Sequence, residues 1–284
     1  MTLIQAIILG IVQGLTEFVP ISSSAHLVII PWLFRWNDPG ITFDVSLHLG
    51  TLAALLWFFW SDWVRLVRSG VASIIERKIG NDSDRRLAWF LVIGTIPGGL
   101  AGLLAQSKIE ELFHQPDTPH TLGAMTAMAV IIVLLGIALF VAERIARHLR
   151  GLNEVSLKDA VVIGLSQALA IFPGVSRSGS TITAGLALGL QRETAARFSF
   201  LLSAPIMLAA GLKSLLDVRS GLASGAMLQS DLLLFAIGFI AAAISGYLCI
   251  KYLLKFLQKN STDVFVYYRW LLAVLIIVVA FIRG

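Results

Sequence analysis

The sequence predicts an all-α integral membrane protein with six transmembrane helices, two re-entrant helical hairpins and an inverted-topology repeat. Three observations support this fold class: an apolar composition, six long apolar segments, and two apolar regions that proline and serine interrupt. Apolar residues make up 57% of the 284 residues and charged residues only 14%, whereas a soluble domain is about 45–50% apolar and about 25% charged. The composition excludes a soluble enzyme or a disordered scaffold, and the single cysteine excludes a disulfide scaffold.

Six segments are long enough to cross a bilayer. A spanning helix needs about 20 mostly apolar residues. The segments that meet this requirement are residues 43–61, 87–106, 121–142, 196–216, 231–250 and 264–282.

Two further apolar regions, 3–33 and 158–191, are broken near their middles. The first break reads Glu17-Phe-Val-Pro-Ile-Ser-Ser-Ser-Ala-His26, and the second reads Phe172-Pro-Gly-Val-Ser-Arg-Ser-Gly-Ser-Thr181. Each region is either one kinked span or two half-helices that form a re-entrant hairpin.

The distribution of positive charge decides between these alternatives. Basic residues concentrate in the segments 62–86, 144–158 and 251–259, whereas the loop 107–120 carries more acidic than basic residues. Basic loops stay on the cytoplasmic side, so region 158–191 begins and ends there as a hairpin. By analogy, region 3–33 is a hairpin that enters from outside, and both termini are predicted to be external. The net charge of +5 then reflects cytoplasmic loops, and no nucleic-acid partner is expected.

The two broken regions also resemble each other. The residues of the first recur in the second at an offset of 154: Gly10, Gln13, Leu15 and Phe18 recur as Gly164, Gln167, Leu169 and Phe172. Residues 1–150 and 151–284 are then two halves of a single membrane domain, each made of one hairpin and three spans. Three crossings turn the second half upside down, and in such inverted repeats broken helices form sites near the membrane midplane.

The first break carries polar groups that are costly inside a bilayer. Gln13 and Glu17 are four residues apart and therefore lie on one helix face. Three serines and His26 follow within ten residues of Glu17. We interpret these residues as one cluster facing a cavity, rather than as separate helix caps and interfacial residues.

The second break has the features of an anion site. Its polar side chains are Ser176, Arg177, Ser178, Ser180 and Thr181. Gly174 and Gly179 favour a tight turn, and the N–H groups that begin the next half-helix attract an anion. Arg177 suits phosphate oxygens and, because an unpaired arginine is costly in a bilayer, it needs an anionic partner, either Glu17 or a substrate.

If the two halves pack together, the two breaks meet. The combined site would contain a carboxylate, an imidazole, a nucleophilic hydroxyl and an arginine, which is the equipment for phosphoryl transfer. Glu17 and Gln13 would hold a hard divalent cation such as Mg²⁺ through oxygen ligands.

These motifs resemble those of a known family. The segments Gln13-Gly-Leu-Thr-Glu17-Phe, Ser22-Ser-Ser-Ala-His26 and Pro173-Gly-Val-Ser-Arg-Ser-Gly-Ser-Thr181 are similar to the signatures of the undecaprenyl-diphosphatases, the bacitracin-resistance membrane phosphatases of bacteria. The resemblance covers nearly the whole chain. Gln13 stands where many members of the family have Glu, so Glu17 becomes the more important carboxylate for binding a metal. Ser24-Ala25 stands where Thr-Gly is common.

The resemblance implies an enzyme that hydrolyses undecaprenyl diphosphate to undecaprenyl phosphate and phosphate, recycling the lipid carrier of cell-wall synthesis. It implies active-site roles for Glu17, His26 and Arg177, with Ser23 close to the phosphates, and we count all four as catalytic. It also implies dependence on Mg²⁺ or Ca²⁺, residence in the bacterial inner membrane, and a site open to its outer face. The side chains expected to bind substrate are Gln13, Ser22, Ser24, Ser176, Ser178 and Thr181.

Two alternatives stay open for the mechanism. In one, Ser23 attacks the terminal phosphorus while His26 removes its proton. In the other, His26 attacks, and Glu17 orients the ring or the metal. The spacing of hydroxyl and base favours the first.

The alternative function is a transporter or flippase of a polyprenyl phosphate or another anionic lipid, since inverted repeats with broken helices are typical of transporters. The cluster of Ser, His and Glu side chains favours an enzyme over a transporter, because binding an anion requires no general base. The expected partners are a polyprenyl diphosphate substrate and the lipid bilayer, and a homodimer stays open.

Overall fold

The computed structural model describes residues 1–113, 122–172, 174–223 and 229–283, which form eleven α-helices. In chain order these are α1 (Leu3–Phe18), α2 (Ser23–Phe34), α3 (Ile41–Phe58), α4 (Trp60–Ile75), α5 (Ser83–Phe113), α6 (Leu122–Ile145), α7 (Leu157–Ala168), α8 (Arg177–Ala187), α9 (Arg192–Ala223), α10 (Gln229–Leu257) and α11 (Asp263–Arg283). Single 3-10 turns lie at Leu152–Glu154 and Leu169–Ile171.

The first broken region forms two helices, α1 and α2, as its sequence predicts. Val19 is extended, with φ −68° and ψ 138°, because the proline that follows disfavours the helical conformation at the preceding residue. Ser22 then adopts a positive φ of 75°, and its hydroxyl accepts a hydrogen bond from the Ala25 N–H at the start of α2.

The second broken region forms α7 and α8. Gly174 takes a φ of +87°, a conformation that glycine adopts without steric cost. Ser176 caps α8, since its Oγ accepts a hydrogen bond of 2.9 Å from the Gly179 N–H. Gly179 itself lies inside α8, so the expectation that it makes part of the turn is wrong.

Five described helices are long and apolar enough to cross a membrane on their own: α5, α6, α9, α10 and α11. They coincide with five of the six predicted spans and confirm a multi-pass integral membrane protein. The remaining predicted span, 43–61, corresponds to α3, which qualifies only together with α4 as a pair bent by 77°.

The expectation that residues 62–86 form a loop is therefore wrong as far as Ile75. The reason is an amphipathic pattern among the charged residues: Leu66 is buried, while Trp60, Val67 and Val71 are exposed along a different face. A helix with an exposed apolar face beside arginines suits the membrane interface.

The two broken regions pack against long helices through matching glycines. Helix α1 packs on α10, and α7 packs on α5. A Cβ at Gly10 would meet the Gly238 carbonyl oxygen, and a Cβ at Gly164 would meet the Gly94 carbonyl oxygen. Small residues allow such close backbone approach within a bilayer. Gly10 and Gly164 are the first matched pair of the predicted repeat, so its two members make equivalent contacts.

The start and the end of the second broken region lie side by side. The Arg150 N–H donates to the Gly189 carbonyl, and the Gln191 N–H donates to the Arg150 carbonyl. The Arg150 guanidinium also reaches Asp159 and the carbonyl of Leu188. The chain therefore enters and leaves this region at one end of the helix bundle.

Ion pairs join the loops at that same end. Glu143 at the end of α6 pairs with Arg192 at the start of α9 and accepts a 2.8 Å hydrogen bond from the Thr262 hydroxyl before α11. Asp62 on α4 accepts a 2.7 Å hydrogen bond from Arg197 on α9. These contacts bring together the loops that border the basic segments of the chain.

The core beneath the breaks fixes the end of α1. Phe18 is fully buried, and its ring meets that of Phe200 edge-on, with centroids 5.2 Å apart. Because Phe18 follows Glu17 directly, this contact positions the carboxylate between α1 and α9.

Candidate active site

Glu17 lies at the centre of a hydrogen-bonded cluster between the two breaks. Its Oε1 accepts a 2.5 Å hydrogen bond from Arg177. Its Oε2 accepts from the Ser23 hydroxyl at 2.6 Å and from the Gln13 side-chain amide at 2.9 Å. The side chain is only 6% exposed. Both oxygens of a buried carboxylate are thus engaged by donors from both broken regions.

Arg177 is the first residue of α8, which points it back across the break towards α1. Besides Glu17, its guanidinium donates at 3.3 Å to the Ser203 carbonyl on α9. Of the two partners that the sequence left open for this arginine, the structure shows Glu17. Because a guanidinium binds phosphate as it binds carboxylate, a phosphate can replace Glu17 as the partner of Arg177.

Ser23 begins α2 and is partly exposed, so its hydroxyl is accessible from the break. The hydroxyl donates to Glu17 and not to His26. The structure therefore pairs the hydroxyl with a carboxylate base, which differs from the Ser23–His26 pairing that the sequence favoured.

His26 is held from both sides of its ring. Nδ1 lies 2.6 Å from the Ser22 carbonyl oxygen and so carries a proton. Nε2 then accepts from the Tyr268 hydroxyl at 2.7 Å, and the two rings stack at 5.7 Å. Because both nitrogens have partners, His26 positions the start of α2 in this state.

The other expected hydroxyls mostly stabilise the breaks. Ser176 caps α8, Ser178 donates at 3.1 Å to the Val19 carbonyl of the first break, and the buried Thr181 hydroxyl donates to the Arg177 carbonyl. Ser22 caps α2. Of these hydrogen bonds, the one from Ser178 joins the two breaks, and the others fix the starts of α2 and α8.

Ser24 differs from these hydroxyls because its side chain is exposed beside Ser23. It makes a 3.3 Å hydrogen bond with the Ser22 hydroxyl. It is the expected substrate-binding serine that most readily reaches a ligand.

His48 on α3 also lies at the cluster, with Nε2 3.8 Å from Glu17 Oε2. Its Nδ1 lies 2.8 Å from the Asp44 backbone carbonyl, which leaves Nε2 facing the site. The spacing of Asp44 and His48 in the sequence permits this arrangement but equally fits a solvated helix start, and sequence reasoning did not assign His48 to the site.

Sequence reasoning missed two residues of α11, Tyr268 and Arg269. Tyr268 holds His26, and the fully buried Arg269 donates through Nε to the Pro20 carbonyl of the first break. A signal was present: Arg269 is a charge in the predicted span 264–282, and charged residues there are rare and functional.

The residues at the break fit a divalent cation that shares its ligands with a substrate. Gln13 Oε1 is buried and has no hydrogen-bond partner among the described residues, while Nε2 of the same amide donates to the Glu17 carboxylate. The described part of the chain has no group of three or more His, Cys, Asp or Glu side chains that could hold a metal. One carboxylate and one amide oxygen suit Mg²⁺ completed by phosphate oxygens and water, rather than a permanently bound structural metal.

Comparison with known proteins decides the family. The family model described as bacitracin resistance protein BacA matches residues 6–275, which is nearly the whole chain. The chain belongs to the BacA family. Its similar relatives include a protein named undecaprenyl-diphosphatase from Thermomicrobium roseum, 48% identical over 98% of this chain and 99% of the relative. Another of that name, from Moorella thermoacetica, is 46% identical over the full length of both.

Proposed function

We propose that this BacA-family protein is an undecaprenyl-diphosphatase that cleaves the terminal phosphate of undecaprenyl diphosphate. Full-length relatives carry that name at 43–48% identity. The observation that carries the proposal is the Glu17 cluster, in which one carboxylate holds a hydroxyl nucleophile on one oxygen and an arginine on the other. A transporter of anionic lipids would need the arginine but not the activated hydroxyl, so the enzyme is the function that the site supports best.

The arrangement supports a two-step phosphoryl transfer. The terminal phosphate displaces Glu17 from Arg177, and the arginine neutralises the charge that develops on the phosphoryl oxygens. Ser23 Oγ forms a bond to the terminal phosphorus while the anhydride P–O bond breaks, and the Ser23 proton passes to Glu17. Undecaprenyl phosphate leaves, and water then hydrolyses the phosphoserine to serine and inorganic phosphate.

A divalent cation, Mg²⁺ or Ca²⁺, belongs to this proposal. Glu17 and the unpartnered Gln13 Oε1 would hold it. When bound it neutralises charge on the diphosphate. His26, fixed by Tyr268, keeps α2 and therefore Ser23 in place, while the exposed Ser24 lies on the side from which the headgroup enters.

The proposed topology has six spans and two re-entrant hairpins in an inverted repeat, with residues 1–150 and 151–284 as the two halves. The matching contacts of Gly10 and Gly164 support the repeat. The contact of Arg150 with Gln191 supports a hairpin that leaves on the side it entered. Basic loops at this end favour a cytoplasmic position for it, with both termini and the mouth of the site on the outer face of the inner membrane.

Phosphate release from undecaprenyl diphosphate by the purified protein in detergent tests the function. We expect release by the wild type, its loss with EDTA, and recovery with added Mg²⁺ or Ca²⁺. Glu17→Ala should abolish it. Release that is insensitive to EDTA would remove the cation from the proposal, and wild-type protein that releases no phosphate would favour the transporter. The mass of the detergent-solubilised protein tests whether it forms the homodimer that the sequence leaves open.

A further inference from the structure

Arg269 is a fully buried arginine that forms no ion pair with any of the described residues. Its relative exposure is 0%. The Nε donates to the Pro20 carbonyl, but neither Nη1 nor Nη2 has a hydrogen-bond partner among the described residues. A buried guanidinium with two free donor groups is costly and calls for an explanation beyond packing.

The free end of this guanidinium lies against the start of α8. A Cβ built on Gly179 would come within 2.5 Å of Arg269 Nη2. Gly179 is in a regular helix, so its backbone conformation does not require glycine. Its missing side chain instead leaves space for the Arg269 guanidinium. The free Nη groups therefore lie at the first turn of α8, and a guanidinium and the N-terminal end of a helix dipole both favour an anion.

Arg269 also borders the proposed active site. Pro20, which accepts from it, lies between Glu17 and Ser23 in the first break. Tyr268, the preceding residue, holds His26. Arg177, on the other side, is occupied by Glu17. The site thus has one arginine with an acidic partner and a second without one.

We propose that Arg269 binds the phosphate of the diphosphate that stays on the lipid, while Arg177 binds the phosphate that is transferred. This inference rests on the proposed function. A diphosphate carries charge on both phosphates, so two arginines from different helices can each neutralise one. The free donor groups of Arg269 would then find their partner in the substrate, and the enzyme would discriminate a diphosphate from a monophosphate by this second contact.

The test compares a diphosphate analogue with a single phosphate. Methylenediphosphonate cannot be hydrolysed at its P–C–P bridge and should raise the Tm of the wild type more than the same concentration of inorganic phosphate does. In Arg269→Gln the advantage of methylenediphosphonate should disappear, while the smaller shift with phosphate should remain. With undecaprenyl diphosphate, kcat/KM should fall about a hundredfold.

Arg283→Gln is the matched control, because Arg283 is also on α11 and donates to backbone carbonyls, those of Trp32 and Leu33, away from both breaks. It should leave the ligand shifts and kcat/KM unchanged. If Arg269→Gln does not fold, Arg269→Lys keeps the charge but not the fork of donors and should show a reduced methylenediphosphonate shift.

The proposal is overturned if a folded variant at Arg269 keeps the full methylenediphosphonate shift and hydrolyses the lipid at the wild-type rate. Arg269 would then have only a structural role, through its hydrogen bond to the Pro20 carbonyl. Failure of wild-type hydrolysis is a different result, since it rejects the proposed function while the two ligand shifts still report on Arg269.

Discussion

The ion pair between Glu17 and Arg177 joins the two halves of the chain, and removing either charge should destabilise the protein in a characteristic way. The partners are 160 residues apart in sequence, and their side chains are only 6% and 17% exposed. We expect Glu17→Gln and Arg177→Gln each to lower the Tm, and the double variant to recover much of the loss.

The magnitude follows from burial. Removing one partner of a buried ion pair costs about 3–5 kcal/mol, because the other charge is left without compensation. At about 2–4 °C per kcal/mol for a chain of this size, the Tm should fall by roughly 10 °C. In the double variant both charges are gone, so the loss should shrink to the part caused by imperfect hydrogen bonding.

The two single variants should not be equal. After Arg177→Gln, Glu17 still accepts from Ser23 and Gln13 and can be neutralised by a proton. After Glu17→Gln, the 3.3 Å bond to Ser203 is the remaining hydrogen bond of the Arg177 side chain within the described part of the chain. In either orientation, the side-chain amide introduced at position 17 also directs its NH₂ group at a side chain that donated a hydrogen bond to Glu17. Glu17→Gln should therefore be the less stable single variant.

Thermal unfolding in detergent, measured in parallel with phosphate release, checks these expectations. Arg192→Gln is the control, since it breaks the pair with Glu143 at the other end of the bundle. It should lower the Tm but leave the activity of the folded protein intact, whereas all three variants at the breaks should be inactive. If the Tm loss of the double variant equals the sum of the two single losses, the two charges do not interact, and the stabilising role of the Glu17–Arg177 ion pair is contradicted.

Three further outcomes are expected. Tyr268→Phe should lower kcat several-fold with little change in KM, because it frees the His26 ring that positions α2; steady-state kinetics measure both parameters, and an unchanged kcat contradicts the expectation. Gly10→Val and Gly164→Val should each lower the Tm by more than 5 °C, on the order of 2 kcal/mol of overpacking, because both force apart a helix crossing; equal effects support the repeat, and two neutral variants would contradict the close crossings. Ser23→Ala should abolish phosphate release but leave the Tm near that of the wild type, because Ser23 is partly exposed; residual turnover above a few per cent would contradict its role.

Much of the fold is readable from the sequence, because the bilayer requires long apolar segments and penalises breaks. Five spans and both broken regions are where hydropathy, proline and serine predict them. The bend between α3 and α4 was not predicted, since no proline or glycine marks it at Phe58 and Phe59. Helix α4 was not predicted either, because its arginines indicated a cytoplasmic loop. Its signal in the sequence is the apolar face that lies among those arginines.

The site was predicted less completely, for reasons of geometry. Glu17 was one of the two partners that the sequence offered for Arg177, because an unpaired arginine is costly in a bilayer. The partner of Ser23 does not follow, because a spacing of three residues favours His26, whereas the positive φ of Ser22 begins α2 in a direction that turns the Ser23 hydroxyl towards α1. The contact of Arg269 is to a backbone carbonyl 249 residues away, and such contacts have no sequence pattern.

The most direct test of the account is to identify the residue that carries phosphate during turnover. Undecaprenyl diphosphate labelled in its terminal phosphate, mixed with the protein and quenched within milliseconds, should leave label on Ser23 that is stable in acid and released by base. Glu17→Gln should abolish this label. Label that is stable in base, released by acid and located on His26 would contradict the account, because it would make the histidine the nucleophile and reduce Ser23 to a phosphate contact.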